Sequence, residues 1–143
     1  MRKAVLPSIA ATVLLVVPLA GCSTGNVMSL EPGDCLNADD LEGNEISDVE
    51  VLECSEEHTA EIFAQVEHEG DEFPGNEALQ SEAQETCDAE FENYVGVPYA
   101  ESEIYYTALM PSQDSWDQAD DRTTLCILTV DEPVTESLEG ANR

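Results

Sequence analysis

The chain has 143 residues, enough for one domain of ordinary size. It carries 32 acidic residues against 4 basic ones, a formal net charge of −28. That balance excludes a nucleic-acid partner and a basic patch docked on anionic headgroups, since both require clustered Lys and Arg.

Met1-Arg2-Lys3 is a short positive segment followed by an apolar run, Ala4 to Leu19, broken by Pro7, Ser8, Thr12 and Pro18. The run is too short and interrupted for a spanning helix and reads as a secretory leader. It ends in Leu19-Ala20-Gly21-Cys22, which resembles a bacterial lipobox. Residues 1–21 are thus expected to be a lipoprotein signal peptide, with Cys22 acylated and 22–29 a lipidated tether. Two or three acyl chains, at about 0.8 kcal/mol per buried methylene, would hold such a chain firmly on a membrane. After residue 3 there is no lysine, and Arg122 and Arg143 face all 32 acids.

Leu30 to Leu36 reads as a turn into a short strand, and Asn37 to Asp48 as an acidic loop. Val49 to Glu53 is strand-like, and Ser55 to His58 a turn. Thr59 to Glu67 alternates, which places Ala60, Ile62, Ala64 and Val66 on one face and Glu61, Phe63, Gln65 and Glu67 on the other. His68 to Gly75 is a loop. The main helix is predicted over Glu77 to Val95, with Asn76 as its cap and Leu79, Ala83, Cys87, Phe91 and Tyr94/Val95 as its apolar stripe. Gly96 and Pro98 end it. Ile104 to Met110 is a strand, Pro111 to Trp116 a turn with a short helical piece, and Thr123 to Val130 the most apolar and central strand. The expected class is α+β: a small antiparallel-rich sheet with one main helix on one face, stapled by two disulfides. Its domain spans 30–131, and 132–143 is expected to be a flexible acidic tail.

With Cys22 assigned to lipid, Cys35, Cys54, Cys87 and Cys126 remain. Four cysteines in an oxidising compartment allow three pairings. Cys35–Cys54 is favoured because it closes a local loop between early strands, and Cys87–Cys126 because it pins the helix to a late strand. Zinc is the rival. The chain lacks a CxxC pair and the cysteines are widely spaced, so no metal and no cofactor is assigned.

Leu30-x-Pro32-Gly33-Asp34-Cys35, Val51-x-x-Cys54-x-x-x-His58-x-x-Glu61-Ile62-Phe63, a helical Cys87, Pro111-x-x-x-x-Trp116 and Asp121-Arg122 before Cys126 form one set of spacings. Over roughly residues 30 to 130 it resembles the septum-formation family of extracytoplasmic domains in Gram-positive bacteria. Where such domains read Gly-Asp-Arg, this chain reads Asp120-Asp121-Arg122. The resemblance implies an accessory role in the cell envelope and brings no defined biochemical activity.

His58 and Glu61 are candidates for an acid–base pair or for metal ligands; a turn histidine that orders the start of the strand is the simpler reading. Arg122 is a candidate anion binder, and an ion pair with Asp120, Asp121 or Asp34 is its structural alternative. Trp116 and the tyrosines could line a ligand groove or complete the core. The catalytic motifs of common hydrolases and phosphate-binding loops are not present in the sequence. The expected function is a non-catalytic, lipid-anchored lipoprotein on the extracytoplasmic face of the cell membrane that binds an unknown envelope protein. The alternative is a binder of a small ligand, a cation or wall glycan, and a hydrolase ranks third.

Overall fold

The computed structural model describes residues 23–43 and 46–143. The expected leader and the lipidation site at Cys22 lie outside the described residues. Strand β1 (Ser23–Asn26) pairs antiparallel with β3 (Asp48–Val51). A second antiparallel sheet has the order β2-β4-β6-β5, from Cys35–Leu36, His58–Glu67, Thr123–Val134 and Tyr105–Leu109. The main helix, α1 (Asn76–Val95), and a shorter one, α2 (Gln113–Ala119), complete the α+β fold. Among the described residues no helix is long and apolar enough to cross a membrane.

The stripe predicted for α1 is its buried face: Leu79, Ala83, Cys87, Phe91 and Val95. Asn76, expected to cap the helix, is its first residue instead; Gly75 occupies the cap position with φ +95°. At the other end Gly96 adopts φ +94° and donates its N–H to Glu92 O. A Cβ on Gly96 would stand 2.7 Å from Asn142 Oδ1, a side-chain atom that can turn aside, so it is the left-handed backbone angle that favours glycine here.

The sheet is covered on both sides. On the helix side, Phe63, Cys87, Phe91, Val95, Cys126 and Leu128 form one core. On the other, Leu30, Leu36, Val49, Ala60, Ile62 and Ile127 form a second. Simple alternation along β4 would put Ala64 and Val66 with Ile62. They join Phe63 in the helix-side core, because the register against β6 shifts between Ile62 and Ala64 and the extra residue exchanges the faces.

The pairs Cys35–Cys54 and Cys87–Cys126 are bonded, with Cα separations of 5.3 and 5.7 Å. The second pins α1 to β6, as expected. The first fastens β2 to the turn before β4.

Two segments correct the expected boundaries. Residues 23–29 are not a free tether: 23–26 are a strand, and Val27 N–H donates to Ser47 O. Residues 132–143 are not a loose tail. Strand β6 continues to Val134, Leu138 is buried, Gly140 N–H donates to Tyr94 O, and Asn142 N–H donates to Val95 O. Four orphan carbonyls at a helix end require donors, and this segment supplies two of them at the end of α1.

Candidate functional site

His58 opens β4 and is fully buried. Its Nδ1 lies 2.8 Å from Glu56 O. A carbonyl can only accept, so Nδ1 carries a proton and donates it, which leaves Nε2 as the ring nitrogen open to another contact. Among the described residues that nitrogen has no hydrogen-bond partner. Three residues on, Glu61 is also fully buried. Its Oε1 accepts from Tyr94 Oη and Ser137 Oγ, each at 2.6 Å, and Oε2 accepts from Leu138 N at 2.6 Å. The donors come from α1 and from the segment after β6. Burial first, and then the hydrogen bond to Glu61, push the Tyr94 phenol well above its ordinary value. Tyr94 therefore remains a neutral donor.

Cys35 sits opposite Glu61 across the β2–β4 pair. Its Sγ, a ring nitrogen of His58 and a carboxylate oxygen of Glu61 all lie within 4.8 Å of one another. The expected His58–Glu61 proximity is thus real, but both groups are sealed inside. A general acid or base must reach its substrate, and these two face the interior.

Trp116 and Arg122 form a separate cluster. Trp116 is buried, donates Nε1–H to Asp71 O at 3.2 Å and packs edge-on against Phe73. The Arg122 guanidinium lies 4.0 Å from the Trp116 ring centroid. It donates to Trp116 O, Asp121 O and Gly70 O at 2.8, 3.2 and 3.2 Å. Its acidic partner is Asp120, at 3.0 Å, whereas Asp121 accepts through side-chain oxygens from Ser115 Oγ and Thr123 N and Asp34 accepts from Glu31 N. These donors are spent on joining the 68–75 loop, α2 and β6. Sequence reasoning overlooked His68, which is buried and bridges Glu82 at 3.0 Å and Thr124 at 2.8 Å. Its place directly after an alternating strand was the available signal.

Asp120 caps α2 in the left-handed region, φ 56° and ψ 31°. Asp tolerates that conformation better than most residues.

Openings to solvent among the described residues include a groove and a cavity. A groove of about 420 Å³ lies between the β1 end and α2, with Val27, Met28, Ile46, Leu109, Met110 and Leu125 among its walls. Asp114 and Asp121 add negative charge to it. A cavity of about 370 Å³ is lined by Tyr99, Tyr106, Gln80 and Gln84 among others. Neither is lined by His58, Glu61, Trp116 or Arg122.

A family model described as septum formation matches residues 32–142. The chain belongs to the septum-formation family. No curated protein and no solved structure matches it. The match extends past the expected domain end at 131, in keeping with the packed segment that supplies Ser137 and Leu138 to Glu61. Membership ties this septum-formation domain to cell division and the envelope. Both disulfides, the Glu61 nexus and the Trp116–Arg122 cluster fall within the matched span.

Proposed function

We propose that this septum-formation protein is a non-catalytic module, anchored by lipid on Cys22 to the extracytoplasmic face of the cell membrane, that binds another envelope protein. The observation that carries this reading is the apolar groove between the β1 end and α2. Its volume of about 420 Å³ suits a few side chains of a partner. Met28 and Met110 give it an adaptable lining, as methionines do at surfaces that accept peptide segments. Asp114 and Asp121, together with the net charge of −28, favour a partner segment that flanks its apolar residues with Lys or Arg. The groove also lies within a few residues of Cys22, so a lipid there would hold it close to the membrane. The enclosure of His58 and Glu61 supports a non-catalytic role.

A photo-crosslinker at Met28 in the lipidated protein in intact cells tests this. The expected product is a covalent adduct with one envelope protein, lost when Met110→Asp is added. Mass spectrometry of the native protein should show an acylated Cys22 at its start. Absence of a protein adduct, with binding to purified wall glycan instead, would overturn the reading. It would favour the second one: Tyr99 is exposed and, with Tyr106, Gln80 and Gln84, lines a cavity of the aromatic-and-amide character that glycans use.

A further inference from the structure

The buried nexus around His58 contains donors that the fold leaves uncommitted. Nε2 is buried and has no partner among the described residues. An unmet polar atom in that setting destabilises the fold. Its orientation is fixed by Nδ1–H donating to Glu56 O, the arrangement that holds a ligating imidazole in its correct tautomer. Glu61 is prepared in a similar way. A carboxylate offers about four acceptor sites, and Tyr94, Ser137 and Leu138 occupy three. The remaining one is on Oε2, which accepts only from the Leu138 N–H among the described residues. The third member, Cys35 Sγ, is within 4.8 Å of both groups and is bonded to Cys54 Sγ.

We propose that opening the Cys35–Cys54 disulfide converts this nexus into a divalent-metal site of the zinc class, with both thiolates, His58 Nε2 and Glu61 Oε2 as its four donors. Two thiolates, an imidazole and a carboxylate are a donor set that zinc accepts in tetrahedral geometry. Tetrahedral zinc places such donors roughly 3.3–3.8 Å apart. The Cys35, His58 and Glu61 atoms, already within 4.8 Å of one another, need only draw together, while Cys54 Sγ, which lies outside that cluster, swings in from its bond to Cys35 as the disulfide opens. The groups that would orient these ligands already touch them: Glu56 O accepts from His58, and Tyr94, Ser137 and Leu138 donate to Glu61.

The two disulfides differ in access. Cys87 and Cys126 are both fully buried, whereas Cys54 is partly exposed beside the buried Cys35. A dithiol reductant therefore attacks Cys54 Sγ. The S–S bond breaks and its electron pair leaves on Cys35 Sγ. The second thiolate of the reductant then attacks the mixed disulfide, forms the reductant's own disulfide and releases Cys54 as a thiolate. Two electrons have passed from the dithiol to the protein. The metal binds both sulfurs as thiolates, and any protons they had acquired go to solvent.

Cobalt(II), as a spectroscopic probe for zinc, tests this on the full chain reduced without denaturant. Reduced protein should show thiolate-to-cobalt charge transfer and the intense visible bands of a four-coordinate site, and zinc should displace both. Oxidised protein has the same acidic surface and should show neither. His58→Gln should weaken binding by about tenfold or more. Nitrogen NMR of the wild-type imidazole should shift Nε2 on zinc addition, a readout that does not depend on how a variant folds. Equal binding by oxidised protein, full affinity in folded His58→Gln, or an unshifted Nε2 would each overturn the proposal.

Discussion

A carboxylate shut away from water persists only where donors replace its hydration. Glu61 achieves this with a phenol, a hydroxyl and a backbone N–H from two distant parts of the chain. Tyr94 titrates in consequence. Burial raises its pKa above the ordinary 10.0, and the Glu61 charge raises it further. The folded state then holds the phenolic proton more tightly than the unfolded state. The associated stability is complete below about pH 10, the ordinary tyrosine value, and falls as pH rises from there toward the folded pKa. Tyr106 is shifted the same way, by burial and then by Asp88. We expect urea midpoints to drop steeply above about pH 10, and Tyr94→Phe to drop less over the same range despite starting lower. Asp120 provides a second case. Its positive φ and its contact with Arg122 both depend on a short acidic side chain. Asp120→Ala should cost about 1 kcal/mol, mostly from the left-handed backbone, because the ion pair is largely solvated. Asp120→Gly should cost less. Comparison of the two by chemical denaturation would separate backbone conformation from charge.

At the scale of elements, the segment after β6 has the largest consequence. It buries Leu138, supplies two donors to Glu61 and two to the end of α1. Truncation after Val134 should lower stability by about 3 kcal/mol or more, since it exposes the Leu138 site and leaves a buried charge short of partners. Urea unfolding of the shortened chain would show this as a lower midpoint. The segment is polar in sequence, and polarity made it resemble a tail; its function is to satisfy backbone and carboxylate groups, which leaves no hydrophobic period to read. The same limit applies to residues 23–29 and to β4. The alternation of Ala60, Ile62, Ala64 and Val66 identified a strand, but a one-residue bulge is invisible in a periodic pattern, and the bulge decides which core Ala64 and Val66 enter. The α1 stripe and both disulfide pairs were legible because helical spacing and loop closure are local properties. The proximity of His58 to Glu61 was legible from their spacing. Their enclosure, and the nearness of Cys35, depend on a strand pairing that no spacing encodes.

Over the whole molecule, electrostatics set the conditions under which the fold holds. A net charge of −28 repels itself across a small domain, and with few cations in the chain, dissolved salt must do most of the screening. The Debye length falls from about 30 Å at 0.01 M to about 3 Å at 1 M. The melting temperature should therefore rise substantially between those limits in sodium chloride, and a flat profile would show that the acids are already balanced locally. Topology adds a temporal consequence. Strand β4 lies at the centre of its sheet between β2, which precedes it, and β6, which is made long afterwards. A nascent chain leaving the ribosome therefore carries the β4 edge unpaired until β6 has emerged. The sheet cannot close around β4 before the last strand in the chain has been made.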